Sequence, residues 1–341
     1  MTGDRPTLSV IIVSWNVRQL LRRALTSCRA SWGERPGLEI VVVDNGSTDG
    51  TVTMVRETFP WVVLVANEEN RGFTGGNNDG LERAQGVYLL LLNPDTEVLA
   101  DALPRLVHYM DRHPSVGMLG PQLLNPDGSV QSSRRRFPTL PVLFCESTWL
   151  QGLLPRRLLA HYYVEDRSPQ TAHPVEWITG AAMLTRRAVV DEVGGLDETF
   201  FMYSEELDWC RRIRAAGWEI HYTPEARIIH HEGKSSEQVV PARHIYFQSS
   251  KIHYTRKYHG PRLAEILRLW LLGQYVWQIG VEGSKWLVGH RRSLRAERLH
   301  AYRRVLRSGL RQRGPLPTEA GRPQPGGKDD SPEKRWQKPD L

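Results

Sequence analysis

The sequence predicts an α/β fold, a doubly wound and mainly parallel sheet with a C-terminal helical extension, and three observations carry that expectation. Four runs of strand length, Leu8–Ser14, Leu38–Val43, Val62–Ala66 and Val87–Leu92, are close to continuously apolar, as in strands covered on both faces. Helix-competent segments separate them at a spacing that suits right-handed crossovers. Asp44 and Asp95 close two of the runs, at the carboxyl edge where open α/β sheets hold their ligands.

Composition narrows the class. At 341 residues, 40% of them hydrophobic, the chain is long enough for one large α/β domain and an appendage. Cys28, Cys145 and Cys210 are few and far apart, which suggests a reducing compartment and no disulfide framework. Met1–Pro6 is polar, Leu8–Val13 is too short for a signal-peptide core, and no apolar run is long enough to span a bilayer. The expectation is a cytoplasmic protein. Its net charge of +7 is concentrated: residues 289–313 hold nine Arg and one Glu, and residues 314–341 hold five basic and five acidic side chains. The rest of the chain is therefore near neutral.

In order, the first strand leads through Trp15-Asn16 into an amphipathic segment reaching about Ala30. It lacks the G-x-G-x-x-G turn of a dinucleotide fold, and no G-x-x-x-x-G-K-[ST] occurs. Leu38–Val43 ends in Asp44-Asn45-Gly46-Ser47-Thr48-Asp49. Asp44 there could accept from a pyrimidine N3–H or a ribose hydroxyl, or cap the turn into the next helix. Residues 70–78, NRGFTGGNN, read as a glycine-rich loop before a helix from about Asn78 to Ala84. Glycine permits close approach to a ligand, and Arg71 offers its charge to a phosphate; a plain surface loop is the alternative. Leu89–Leu92 is the most apolar run, and Pro94 ends it because proline has no N–H for the ladder. That leaves Asp95 at a central strand end, either a turn residue or a ligand for a divalent cation that neutralises a diphosphate.

Residues 121–174 read as an acceptor-side insertion. Arg134-Arg135-Arg136 within it could grip phosphates or form a solvated loop. Further on, Glu205, Glu206 and Asp208 open a helical segment for which Ser204 is the expected cap. Three acids beside Phe200-Phe201-Met202-Tyr203 exceed what helix-dipole complementarity needs, and a carboxylate near aromatic rings is raised in pKa, as a general base requires. Arg227–Gly233 reads as a short strand ending in two histidines. Residues 266–281 form an aromatic-rich helix with Gln274, Gln278, Glu282 and Lys285 as one polar stripe, followed by the nine-Arg segment. That pairing suits an anionic membrane surface, with a helical pair packed on the catalytic domain as the alternative. Residues 314–341, rich in Pro, Gly and charge, are expected to be disordered.

Together LSVIIVSWN, VVVDNGSTDGT, NRGFTGGNN and LLLLNPDTE resemble the N-terminal half of family 2 glycosyltransferases of GT-A fold, in their bacterial rhamnosyltransferase-like branch. ITGAAMLTRRAVVDEVGGLDETFFMYSEELDWCRR and ARIIHHEGKSS resemble the second half, so the likeness runs from about Thr7 to Ser236. It implies an inverting transferase that uses a nucleoside-diphosphate sugar and Mg²⁺ or Mn²⁺. Asp95 matches the last acid of the D-x-D-type motif, with Asn93 in place of the first. By the same resemblance, Glu206 is the base, with Glu205 and Asp208 as rivals; His230 joins Asp95 at the metal, with Gly233 and Ser235 completing H-x-x-G-x-S. Ser14, Asn16, Asp44, Arg71, Gly72, Asn78, Asn93 and Asp95 form the expected donor site.

The reading is a GT-A catalytic domain over residues 1–236, a basic membrane-associating helical extension over 237–313, and a tail over 314–341. The expected reaction moves a sugar, L-rhamnose from dTDP-L-rhamnose by resemblance, to a hydroxyl of a lipid-linked or cell-envelope glycan at the inner face of the cell membrane. A nucleotidyltransferase would want a Gly-rich loop with Arg and Lys after the first strand, which Leu8–Asn16 lacks. A nucleic-acid-binding protein would use the arginines but leave Asp95, Glu206 and His230 without a role, so no nucleic acid is expected.

Overall fold

The computed structural model describes residues 5–231, 240–289, 291–311 and 314. The first half alternates as the apolar runs predict: β1 Leu8–Ser14, α1 Arg18–Trp32, β2 Leu38–Asn45, α2 Thr51–Thr58, β3 Val63–Asn67, α3 Gly72–Arg83 and β4 Tyr88–Leu92. Next come β5 Thr96–Val98, α4 Ala102–Arg112 and β6 Val116–Leu124. A small excursion follows, with β7 Arg134–Arg135, α5 Leu140–Cys145, a single 3₁₀ turn Trp149–Leu153 and α6 Arg156–Tyr162. The chain then returns through β8 His173–Val175, β9 Trp177–Ile178, β10 Ala182–Arg186, α7 Arg187–Val193, α8 Glu205–Ala215 and β11 Glu219–His230. Three helices close the described chain, α9 Val240–His259, α10 Pro261–Leu287 and α11 Arg292–Ser308.

A nine-stranded sheet runs in the order β3-β2-β1-β4-β10-β6-β11-β5, with β8 also paired to β11. β3, β2, β1 and β4 are mutually parallel, and β6 and β11 are parallel to each other. β10 enters antiparallel between β4 and β6, which joins the two parallel blocks into one mixed sheet. Strands this apolar need cover on both faces. One core packs β1, β2 and β4 against Leu21, Leu25, Leu103 and Leu106 of α1 and α4; the other lies under α3, α7 and α8.

The loop expected at residues 70–78 is mostly helix, because α3 starts at Gly72. Its glycines are set by packing, since α3 crosses the sheet too closely for larger residues. A Cβ at Gly76 would stand 2.8 Å from Val13 Cγ1, and one at Gly80 would collide with Ile11 Cγ2. Gly80→Ala is therefore expected to destabilise by about 1–3 kcal/mol from overpacking, against the roughly 1 kcal/mol that alanine contributes as a better helix former. Urea unfolding measures the balance; a net gain in stability would contradict the close crossing.

The expected insertion is narrower than residues 121–174. Its first residues complete buried β6, and His173–Val175 is the sheet strand β8. The arginine triplet is largely committed within the fold. Arg134 stacks 4.9 Å from the Tyr222 ring and donates to Arg167 O, Arg135 lies 4.6 Å from the Tyr163 ring, and Arg136 grips both oxygens of Asp166 at 2.7 and 2.8 Å.

α9 belongs to two neighbourhoods. It contributes Tyr254 to the core beneath α8, while Ala242, Ile245 and Ile252 pack with α10 and α11. Among the described residues no helix is long and apolar enough to cross a membrane. α10 carries apolar residues on both sides: Ala264, Leu267, Leu271 and Tyr275 are buried, and part of its expected polar stripe turns inward with them. Gln274 and Glu282, from its expected polar stripe, are 9% and 7% exposed, and Glu282 pairs with Arg295 of α11 at 2.6 Å. Ile266, Leu269, Trp270, Val276, Trp277 and Leu287 face outward, Trp277 being 58% exposed. Beside them the exposed Trp149 places its ring 6.0 Å from that of Trp277. The segment 314–341, apart from Gly314, lies outside the described residues.

Candidate active site

The carboxyl ends of β1, β2 and β4 share one edge with the start of β10, the start of α8 and the end of β11. They enclose a cavity of about 260 Å³ lined by residues that include Asn93, Asp95, Glu205, Glu206, His230 and Arg243. β4 stops at Leu92, and Pro94 prevents the ladder from continuing. Asp95 is then held by the returning chain, whose His231 N–H donates to Asp95 O at 2.9 Å.

Asp95 is 3% exposed, yet its Oδ1 has no hydrogen-bond partner among the described residues. His230 Nε2 stands 3.4 Å from that oxygen and 3.4 Å from Asn93 Nδ2. Gln131 Oε1 lies 2.8 Å from His230 Nδ1. An amide oxygen there accepts from a proton on Nδ1; in the tautomer protonated at that nitrogen alone, Nε2 is the acceptor that the Asn93 amide meets at 3.4 Å, the arrangement in which a second partner orients a metal-binding imidazole. The buried, unsatisfied carboxylate oxygen and this nitrogen fit a divalent cation. Among the described residues no group of three or more His, Cys, Asp or Glu converges to hold a metal. A cation here would thus draw its other ligands from phosphate and water, as Mg²⁺ commonly does. Gly233 and Ser235 lie outside the described residues.

Opposite this corner α8 begins. Tyr203 and Ser204 both adopt left-handed backbone conformations, φ 70° and 65°, each costing about 1–2 kcal/mol for a residue with a Cβ. The Ser204 side chain makes no capping hydrogen bond, contrary to the expectation from its position. Its contribution is the bend that aims Glu205 and Glu206 into the cavity. Both carboxylates have one buried oxygen without a partner. Desolvation pushes the Glu205 carboxyl well up, and the charge of Glu206 adds to the effect. Desolvation likewise raises Glu206 to about 7, opposed by backbone hydrogen bonds at the helix start and by the charge of Arg135. Burial therefore raises both carboxyls, so each holds its proton to higher pH than a solvated glutamate does. Asp208 is elsewhere. Fully buried, it is bound by Lys257 at 2.6 Å, Tyr258 at 2.7 Å and Arg212 at 2.9 Å, which joins α8 to α9 and takes it out of contention as a base.

The other expected donor residues divide into two groups. Ser14 and Asp44 are register partners across β1 and β2, and Ser14 Oγ and Asp44 Oδ1 are buried without partners, as a seat for a base or ribose would be. Burial raises the Asp44 carboxyl, partly offset by hydrogen bonds from Ser47. Gly72 lines the cavity with φ +74°, and a Cβ there would stand 2.5 Å from Phe201 O. Asn16, Arg71 and Asn78 instead hold the framework. Asn16 receives Thr48 N–H at 2.8 Å, Arg71 pairs with Asp79 and with Glu198 at 3.5 Å, and the Asn78 amide clasps Leu196 N and O, each at 2.9 Å.

Two contributors carry no chemical signal in the sequence. Thr179-Gly180-Ala181 lines the cavity because β10 is threaded beside β4, where Ala181 O accepts Asn93 N–H at 2.9 Å. Arg243 arrives from α9, beyond the strand that ends in His230.

Residues 9–194, more than half of the chain, match the profile of glycosyl transferase family 2. The chain belongs to that family. This family 2 glycosyltransferase is 32% identical over 249 residues to N-acetylglucosaminyl-diphospho-decaprenol L-rhamnosyltransferase of Mycobacterium tuberculosis, an alignment covering 70% of this chain and 80% of that one. It is 24% identical over 248 residues to the low-salt glycan biosynthesis hexosyltransferase Agl10 of Haloferax volcanii, covering 70% and 72%. Its fold matches mannosyltransferase PcManGT of Pyrobaculum calidifontis, solved with GDP-Man and Mn²⁺, with TM-score 0.52, 20% identity and 90% and 85% coverage. It also matches GalNAc-T7, solved with UDP, GalNAc and Mn²⁺, with TM-score 0.51, 17% identity and 74% and 50% coverage. The fold is GT-A, and the glycosyltransferase has the mainly parallel sheet and C-terminal helices that its sequence predicts.

Proposed function

We propose that this glycosyltransferase moves L-rhamnose from dTDP-L-rhamnose, with inversion, to a hydroxyl of a lipid-linked glycan at the inner face of the cell membrane. The observation that carries the chemistry is the opposition, across one cavity, of a buried unsatisfied Asp95–His230 corner and a buried carboxyl pair, Glu205 and Glu206, both raised by desolvation. The choice of sugar and acceptor is supported by the mycobacterial relative.

In this reading Ser14 and Asp44 receive the base and ribose, and the diphosphate lies toward Asp95 and Arg243. Asp95 and His230 would hold a divalent cation, Mg²⁺ or Mn²⁺, which would supply positive charge against the leaving diphosphate. Glu206 accepts the acceptor hydroxyl's proton while that oxygen bonds to the anomeric carbon and the bond from that carbon to the diphosphate oxygen breaks. Attack opposite the leaving group inverts the anomeric centre. Arg243 offsets the negative charge left on the nucleoside diphosphate, and the aromatic strap before Glu205 keeps water from the base. The test is transfer from a panel of nucleotide sugars to a short-chain diphosphate-linked N-acetylglucosamine, with the product anomer read by NMR. Turnover of another sugar nucleotide in preference to dTDP-L-rhamnose would overturn the donor assignment, and a retained configuration would overturn the single displacement.

Membrane association is supported by the outward apolar face of α10 beside the arginines of α11. The combined substitution Ile266→Gln and Trp277→Gln is expected to weaken sedimentation with anionic vesicles at least about tenfold, because each apolar side chain withdrawn from water contributes up to roughly 1.5–3 kcal/mol. Unchanged sedimentation would remove α10 from the contact.

A further inference from the structure

A second cavity, of about 340 Å³, lies where α9, the first turns of α10 and the chain after α11 meet. Three arginines dominate its polar wall. Arg268 is committed, binding both oxygens of Glu265 at 2.6 and 2.9 Å and Gly309 O at 3.0 Å. Arg256 and Arg311 are exposed and have no hydrogen-bond or ion-pair partner among the described residues. Arg268 first, then the charges of Arg311 and Arg256, hold the Glu265 carboxyl below its ordinary range, so the wall is cationic in spite of that acid. Ser249, only 5% exposed, lines the same cavity with a hydroxyl that has no partner. A buried hydroxyl left unsatisfied costs about 1–3 kcal/mol, and this one shares its cavity with Arg256 and Arg311. Ile252 and Leu310 make the apolar remainder.

The cavity also has a particular neighbour. Glu265 and Arg268 directly adjoin Leu269, and Val276 follows two turns on, so the mouth opens along the flank of the outward apolar face of α10. It is separate from the catalytic cavity. Arg243 and His253 of α9 line one each, about 15 Å apart along the helix axis, and the Thr199–Tyr203 strap lies between, fixed by Thr199 Oγ1 to His253 Nε2 at 2.7 Å and Ser250 Oγ to Met202 O at 2.7 Å.

We propose that this cavity seats the phosphoryl group of an anionic lipid whose chains lie along the exposed face of α10. Guanidinium groups bind phosphate oxygens in a planar two-point fashion, so Arg256 and Arg311 with the Ser249 hydroxyl form a positional seat, unlike the diffuse attraction of a polybasic surface. The inference rests on the membrane reading for the source of the phosphate.

The test uses the full chain and vesicles of phosphatidylcholine with a minor fraction of phosphatidylglycerol at low salt. R256Q/R311Q is compared with R303Q/R307Q, which removes the same charge from exposed positions on α11 outside the cavity, and with S249A. The seat predicts that R256Q/R311Q loses at least about tenfold more affinity than R303Q/R307Q, and that S249A loses affinity with no charge removed. Equal losses in the two double variants overturn the seat and leave the membrane reading standing, whereas a wild-type chain that does not sediment overturns both. Inorganic phosphate is the second probe. If it raises the wild-type Tm, and that rise vanishes in R256Q/R311Q while vesicle binding falls equally in both double variants, the ligand is soluble phosphate and the lipid assignment is overturned.

Discussion

Glu206→Gln is expected to leave donor binding unchanged and to lower sugar transfer by about 10²–10⁴, the range for loss of a general base. The wild-type rate should fall about tenfold per pH unit below about pH 7, where Glu206 takes up its proton, and that limb should vanish from the variant's residual activity. The same substitution has an opposite effect on stability, and the sign follows from the pKa. Folding raises Glu206 from 4.5 to about 7, so its contribution is fully present below about pH 4.5 and lost as pH rises through about 7. Glutamine cannot ionise. The variant should match wild type near pH 4.5 and exceed it at pH 8 by up to about 3 kcal/mol, measured by chemical unfolding at both values. A variant that loses activity and is also less stable at pH 8 would mean that Glu206 holds the fold and does not serve as a base.

Asp95→Asn should abolish the metal dependence of donor affinity and reduce turnover by more than about 10², since changing even the outer partners of a metal ligand typically costs 10–100-fold. An amide is a weaker ligand than a carboxylate for a hard cation, and Asn93 beside it is already an amide. Titration of the donor nucleotide with and without Mn²⁺ reads the effect. The fold should survive, because Asp95 Oδ1 has no partner to lose and the main-chain bond from His231 remains. Donor affinity that still responds to Mn²⁺ in the variant would move the metal to other residues.

What the sequence made legible was whatever depends on local pattern. β1, β2, β3 and β4 lie within two residues of their apolar runs because runs dominated by Val, Ile and Leu suit strands of a covered sheet, although β3, at the sheet edge, is only partly buried. Asp95 could be placed because Pro94 marks the strand end on its own. β10 could not be placed: nothing in Ala182–Arg186 says that it runs antiparallel between β4 and β6, and with it went Thr179–Ala181 at the cavity wall. The first half of α3, residues 72–77, reads as loop and only its end as helix, because Gly76 and Gly80 answer to side chains of β1 and β2, which no local rule contains. Asp208 follows Glu205 by three residues and shares their composition, yet Lys257, far along the chain, decides its role. The polar stripe of α10 is legible in its sequence, but its direction is not. Which face turns inward depends on Arg295, a partner on another helix.

The make-up of α3 bears on the order in which the molecule assembles. Four of its twelve residues are glycine, each unfavourable by about 1 kcal/mol relative to alanine, in a helix already near the length below which isolated helices are marginal. It cannot form ahead of the surface it lies on. Contacts made by Leu81 should therefore be absent from the folding transition state, so that Leu81→Ala speeds unfolding with little change in the refolding rate. The same weakness persists in the native state, where α3 should open as a local unit while β1 and β2 stay closed. Nucleotide bound at its first turn would then be seen in hydrogen exchange as slower α3 amides, before any effect on the strands beneath.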